Sequence, residues 1–242
     1  MNHRESENHN QKTIAIITAR GGSKRIPRKN IRDFCGKPII AYSIQTARDS
    51  GLFDLVMVST DDEEIATIAR EYGAEVPFLR SSRTSDDQST TEDALLEVLD
   101  RYEELGLRFD IMCNLYPTAP LITADRLREA YELLMSEECN TVFPVVQFSF
   151  PPQRGLIMKD GYVLPVKHAD YMKRSQDLCP ILHDSGQFYF FRTESFRKTG
   201  SSVDKAKPII VSEMEVQDID TLTDWKLAEL KYQMLKSAEL QK

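Results

Sequence analysis

Seven basic side chains crowd the segment from Arg20 to Lys37: Arg20, Lys24, Arg25, Arg28, Lys29, Arg32 and Lys37, against the single acid Asp33. Gly21, Gly22 and Ser23 lie among them. Paired glycines let backbone N–H groups approach a phosphate closely, and a serine hydroxyl adds a donor. The chemistry favoured is capture of a small polyanion; a solvated basic loop is the plain alternative. The segment is not a Walker A loop, because no second Gly-Lys-Ser/Thr follows Gly21 and position 26 is Ile, nor does it read Gly-x-Gly-x-x-Gly. A second group capable of chemistry is Asp218 and Asp220, two carboxylates on one side of an extended stretch. Hard oxygens at this spacing suit a Mg²⁺ that bridges phosphates. Asp220 is equally well placed to cap the helix expected from Thr221.

The rest of the composition sets this island in context. The 242 residues carry 31 Lys+Arg and 38 Asp+Glu, a formal charge of −7; the basic segment is +6, so the other residues together carry −13. Such a chain does not read as a general nucleic-acid binder, and its partners are expected to be small anions. No apolar run approaches the roughly 18–20 residues of a membrane-spanning helix. The N-terminal MNHRESENHNQK has no apolar core, so residues 1–12 read as a disordered leader rather than a secretory signal. Cys35, Cys113, Cys139 and Cys179 are far apart with no Cys-x-x-Cys pair, which argues against a zinc site or a disulfide framework. Reduced thiols in a cytoplasmic protein are expected, with Cys113 a small core hydrophobe.

The elements that must position these groups alternate. Thr13–Thr18 is a short β-branched run, read as a buried strand that ends at the basic loop. Pro38 opens a helix over 39–50 with Ile40, Ala41, Ile44 and Ala47 on one stripe. Leu55–Ser59 reads as a strand, and Asp61 with Glu64 as the capping box of a helix to about Tyr72. Val76–Leu79 reads as a third short strand. A helix over Thr90–Leu105, a strand at Ile111–Leu115, a helix over Ala124–Ser136 and a strand at Val142–Gln147 follow. This alternation predicts βαβ units in an α/β fold with a mostly parallel, doubly wound sheet. Its ligand crevice would open at the carboxyl ends of the strands, where the basic loop begins. From Pro151 the rhythm changes. Leu156–Met158 and Tyr162–Val166 flank Lys159-Asp160-Gly161 as a hairpin. Gln187–Phe191 and Ile209–Val211 read as strands, and Thr221–Leu240 as a terminal helix with Trp225 in the core. Residues 151–186 are thus a candidate sub-domain that a partner subunit would complete.

IAIITARGGSKRIPRKN (14–30) resembles the N-terminal signature of the CMP-sialic acid synthetase family of cytidylyltransferases. VSTDD (58–62), LYPTAPL (115–121) and DIDT (218–221) carry the resemblance over about residues 13–225. Within it, YPTAP, FSFPPQR (148–154) and DSGQFYFF (184–191) are similar to the pseudaminic acid branch. The resemblance implies a Rossmann-like nucleotidyltransferase fold, with joining of CTP to an acidic nine-carbon sugar and release of pyrophosphate. It further implies Mg²⁺ as cofactor and a homodimer formed through the 151–186 insert. Carried over residue by residue, it assigns Arg20, Gly21, Gly22, Ser23 and Lys24 to the triphosphate, Lys29 to the α-phosphate and Asn30 to the nucleotide. Arg80 would read cytosine beside Thr90 and Thr91 of the DDQSTT loop. Arg20, Lys29 and Asp218 would be catalytic, Asp218 orienting or deprotonating the attacking hydroxyl. Asp218 and Asp220 would hold the metal. Tyr116, Arg154, Arg174, Ser185, Gln187 and Tyr189 would line the sugar site. Tyr116 and Ser185 stand where the sialic acid branch usually has Gln and Asn, which favours pseudaminic acid. The alternatives are a CMP-sialic, CMP-legionaminic or CMP-Kdo synthetase, or a non-catalytic CTP-binding regulatory protein, against which Lys29, Asp218 and Asp220 argue. Asp61 reads as a cap or a site residue, and His183 as a surface or a sugar-pocket side chain.

Overall fold

The computed structural model describes residues 11–86 and 89–239. Of the expected leader, residues 1–10 lie outside these, as do Asp87, Gln88 and Leu240. Lys12 already belongs to the fold: its N–H donates to Asp110 Oδ2 (2.9 Å) and its carbonyl accepts from Asp110 N (2.8 Å).

The elements run β1 (Thr13–Thr18), a two-residue ribbon β2 (Asp33–Phe34) and β3 (Lys37–Pro38), α1 (Ile39–Ser50), β4 (Leu55–Ser59) and α2 (Glu63–Glu71). Then come α3 (Thr91–Glu104), β5 (Ile111–Leu115), α4 (Ala124–Ser136), β6 (Thr141–Gln147), the hairpin β7 (Leu156–Lys159) and β8 (Tyr162–Pro165), and α5 (His168–Tyr171). The chain closes with β9 (Leu182–Asp184), β10 (Phe188–Arg192), α6 (Thr193–Thr199), β11 (Ala206–Ile210) and α7 (Leu222–Glu239). The main sheet has the order β11-β6-β10-β5-β1-β4, with β9 on β6. Five strands run one way; β10, between β5 and β6, and β9 run the other. The sheet is therefore mostly parallel, as the sequence predicts, with an antiparallel strand near its middle.

Burial on both faces explains the continuous apolar strands. One face packs on α1, α2 and α4 through Ile40, Ile44, Ile65, Leu127 and Leu134. The other packs on α3 and α6 through Leu95, Leu99, Tyr102 and Phe196. A third cluster, Ile26, Phe34, Ile39, Tyr42, Ile219, Trp225 and Ala228, clamps α7 over the basic loop. Trp225 is core, as expected.

Several local readings change. Val76–Leu79 is not a strand: only Glu75 bridges Met57, and Pro77 has no N–H with which to extend a ladder. The cap of α2 is Asp62, which accepts from Ile65 N (3.0 Å), and not Asp61. Nor does Asp220 cap α7. Thr221 Oγ1 accepts from Asp224 N (3.3 Å) while Asp224 Oδ2 accepts from Thr221 N (2.7 Å), a reciprocal pair that frees the Asp220 carboxylate from capping. The 156–165 hairpin turns on Asp160 and Gly161 with φ of 52° and 81°, the paired left-handed geometry of a type I′ turn.

Candidate active site

The basic loop leaves the carboxyl end of β1 and is held by buried side chains as much as by its charges. Ile26 is fully buried in the third cluster. Asn30 is buried too, and its Nδ2 donates to Arg20 O (2.9 Å), closing the loop on itself. Arg28 adopts φ 55° and lays a fork on Asp62 (2.5 and 3.1 Å) while also pairing with Glu64. Gly21 is a glycine by necessity, since a Cβ there would stand 2.7 Å from Asp62 Oδ2. Its N–H, which the sequence reading gives to phosphate, donates instead to Asp61 Oδ1 (2.9 Å). Asp61 is thus a loop-holding residue rather than a helix cap. Around Gly22 the space is open.

The loop walls a cleft of about 550 Å³. Arg20, Ser23, Lys24, Arg25, Lys29 and Asn30 line it together with Arg80, Thr84, Thr90 and Thr91. Arg80 donates from Nε to Ser59 Oγ (3.1 Å) and from Nη2 to Ser59 O (2.7 Å). Burial lowers its pKa, with Asp61 and Glu97 working against that. Thr90 lines the cleft, but its hydroxyl serves the α3 capping box with Asp93, while Thr91 lines it with its side chain bonded to Tyr116. Sequence reasoning missed Glu97, which accepts from Ser81 N (2.8 Å), Ser81 Oγ (2.9 Å) and Thr84 Oγ1 and so fixes the turn after Arg80. The available signal was a carboxylate beside the apolar stripe of α3.

A second cavity of about 600 Å³ includes His183, Asp184, Ser185, Gly186 and Asp218 in its wall. Ser185 Oγ is buried and has no hydrogen-bond partner. Asp184 accepts from Tyr189 OH (2.6 Å) and Gly186 N (2.8 Å). The two cavities abut at Tyr116, which lines the first and whose ring lies 4.0 Å from where a Gly186 Cβ would stand. Lys29 lines the first cavity too. Its Nζ donates to Ile219 O (2.7 Å) and lies 3.9 Å from Asp220 Oδ1, while Arg25 pairs with Asp220 Oδ2 (2.5 Å). Burial lowers the Lys29 pKa; the Asp220 and Asp218 carboxylates oppose the shift. With Ile219 buried between them, the two carboxylates are left to the polar side.

Four expected sugar-site residues line neither cavity: Tyr189, which is buried with its hydroxyl spent on Asp184, and three others. Gln187 is buried and donates from Nε2 to Glu215 O (2.6 Å), a structural tie. Arg154 bonds Ser175 Oγ (3.1 Å) and lies over the Tyr171 ring. Arg174 is exposed and pairs with Asp177 (2.9 Å). Both arginines belong to the 151–186 sub-domain and line neither cavity. His183 lines the second cavity, against Phe148 (4.7 Å between ring centroids). Together the arrangement offers a cationic cleft for a polyphosphate, a mixed-charge cavity for a polar acceptor, and an ammonium with two carboxylates between.

Residues 14–215 match the family model described as cytidylyltransferase. The chain is 39% identical over 227 residues to the pseudaminic acid cytidylyltransferase of Campylobacter jejuni, covering 92% of this chain and 97% of that protein. It is 32% identical to the CMP-N,N'-diacetyllegionaminic acid synthase of Legionella pneumophila, covering 89% and 94%. In fold it is similar to a CMP:2-keto-3-deoxy-manno-octonic acid synthetase complexed with CTP (TM-score 0.65, 18% identity, 93% and 99% covered).

Proposed function

The chain belongs to the cytidylyltransferase family, and we propose that it transfers CMP from CTP to the anomeric hydroxyl of pseudaminic acid, releasing pyrophosphate. The observation that carries this reading is the approach of the two cavities, at Tyr116 and Gly186 and again where Lys29 of the first meets the Ile219–Asp220 stretch that follows Asp218 of the second. The identity to the Campylobacter protein supports the choice of sugar.

CTP lies with its triphosphate along Arg20, Ser23 and Lys24, and its base towards Arg80 and Thr91. The anomeric oxygen forms the new bond to the α-phosphorus as the bond to the pyrophosphate oxygen breaks. Lys29, fixed by the Ile219 carbonyl, places an ammonium where the α-phosphoryl oxygens gain charge. Asp218 orients the hydroxyl and takes up its proton. Asp218 and Asp220 present hard carboxylate oxygens that would hold a Mg²⁺. When bound, the ion neutralises charge on the departing pyrophosphate.

The hairpin presents Met158, Tyr162 and Val163 largely to solvent, and a two-stranded ribbon is marginal by itself. A second copy covering it gives the homodimer. The test of the reaction is pyrophosphate release from CTP and Mg²⁺ with a panel of acidic sugars. Pseudaminic acid is expected to turn over fastest; faster turnover of N-acetylneuraminic acid overturns the choice of sugar, and no release with any acid overturns the reaction.

A further inference from the structure

The two residues assigned to the base come from separate segments. Arg80 precedes the 3₁₀ turn Ser82–Thr84, and Thr91 opens α3. Glu97, three residues beyond the cavity-lining Ala94 of α3, ties these segments together. Its Oε1 accepts from Ser81 N (2.8 Å), and its Oε2 from Ser81 Oγ (2.9 Å) and Thr84 Oγ1. Ser81 stands at the head of the 3₁₀ turn, yet its hydroxyl caps nothing there because it is spent on Glu97. Glu97 is only 7% exposed, and a carboxylate is rarely buried so far unless it is paired. Burial favours its neutral form, but the bonds from Thr84 and Ser81 outweigh that and hold its pKa below the ordinary glutamate value. It is therefore an anion at neutral pH. As such it favours the Arg80 guanidinium, whose charge burial opposes.

We infer that Glu97 is a positioning residue for base selection: it braces the segment after Arg80 against α3 and so holds the Arg80 guanidinium in one place. The inference rests on the reading of the first cavity as the CTP site, with Arg80 at the base. Cytosine presents O2 and N3 as neighbouring acceptors, whereas uracil carries a hydrogen on N3. A fixed guanidinium, which only donates, pairs fully with cytosine and meets a donor in uracil. A guanidinium free to swing would tolerate both.

The experiment measures pyrophosphate release with CTP and with UTP, at saturating pseudaminic acid, in the wild type, Glu97→Gln, Ser81→Ala and Arg80→Met. Glu97→Gln keeps the volume and one acceptor oxygen but loses the charge that strengthens the three bonds. It is expected to raise KM for CTP about tenfold with kcat within about threefold, and to lower the CTP-over-UTP ratio of kcat/KM about tenfold. Ser81→Ala removes one of the three bonds and should move both quantities the same way by about threefold. A carboxylate that only supports the fold would reduce the amount of active enzyme. Then kcat would fall for both nucleotides while KM and the ratio stay put, which overturns the inference. Should Glu97→Gln not fold, an unmoved KM and ratio in Ser81→Ala overturn it instead. A ratio that moves in Arg80→Met but not in Glu97→Gln overturns the inference alone. A ratio unmoved in Arg80→Met sinks the assignment of Arg80 to the base, and a wild type that releases no pyrophosphate from CTP sinks the functional reading.

Discussion

Lys29 is more enclosed than its neighbours Arg25 and Arg28. Its side chain is 20% exposed against 67% for Arg25, and it is anchored on the Ile219 carbonyl next to Asp220. An ammonium held in a fixed, partly dry place stabilises developing charge without first reorganising, which a free surface arginine cannot do. Asp220 is the matching anion. Since Thr221 and Asp224 cap α7, the Asp220 carboxylate has no capping duty to lose. Asp220→Asn is therefore expected to leave the thermal unfolding midpoint nearly unchanged while kcat falls on the order of 10²-fold or more. The Mg²⁺ concentration for half-maximal rate should rise with it. Unchanged activity and Mg²⁺ dependence would remove Asp220 from the site.

At the scale of elements, the basic loop is set by the start of α2. Asp61 takes the Gly21 N–H, and Asp62 both caps α2 and grips Arg28. Gly21→Ala places a methyl within 2.7 Å of Asp62 Oδ2 and forces that carboxylate off Arg28. The displaced loop is expected to lower kcat/KM for CTP on the order of 10²-fold, measured by pyrophosphate release. The Arg28 hydrogen bond also holds the Asp62 pKa below the ordinary carboxylate value, against a smaller opposing effect of burial. A native pKa depressed in this way contributes stability above the unfolded value of about 3.9, and that stability is lost as pH falls through the native value. Asp62→Asn still caps α2 but lacks the charge. It should be less stable than wild type at pH 7 by up to about 1 kcal/mol, the scale of a partly exposed pair. As pH falls through the native value the two denaturation curves should converge; a gap that persists in acid would mean the pair contributes nothing through charge.

For the whole molecule, the third cluster is decisive. Ile26 of the basic loop and Ile219 of the D-x-D segment are far apart in the chain and are buried together with Trp225 of α7. That packing, not the sheet, brings the cationic loop to its carboxylates. The sub-domain contrasts with it, since Met158 is 81% exposed and Tyr162 74%. Met158→Glu is expected to convert a sedimenting dimer into a monomer at micromolar concentration, because a buried charge without a partner is costly at an apolar interface. A wild-type monomer would dispose of the dimer.

Sequence alone determined what is local. The strand run 13–18, the glycine and cation spacing after it, the helix over 124–136 and the Asp-Gly turn depend on neighbours a few residues away, and each stands where its pattern put it. Only the tertiary structure decided which polar groups were already occupied. The Gly21 N–H belongs to Asp61, the Thr90 hydroxyl to a cap, Gln187 to a carbonyl 28 residues on, and Arg174 to its own sub-domain. Lys231, silent in the sequence as one more helix lysine, became a cavity wall because α7 docks beneath residues 213–218. A side chain's type fixes the bonds it is able to make, while long-range packing fixes which partner reaches it first.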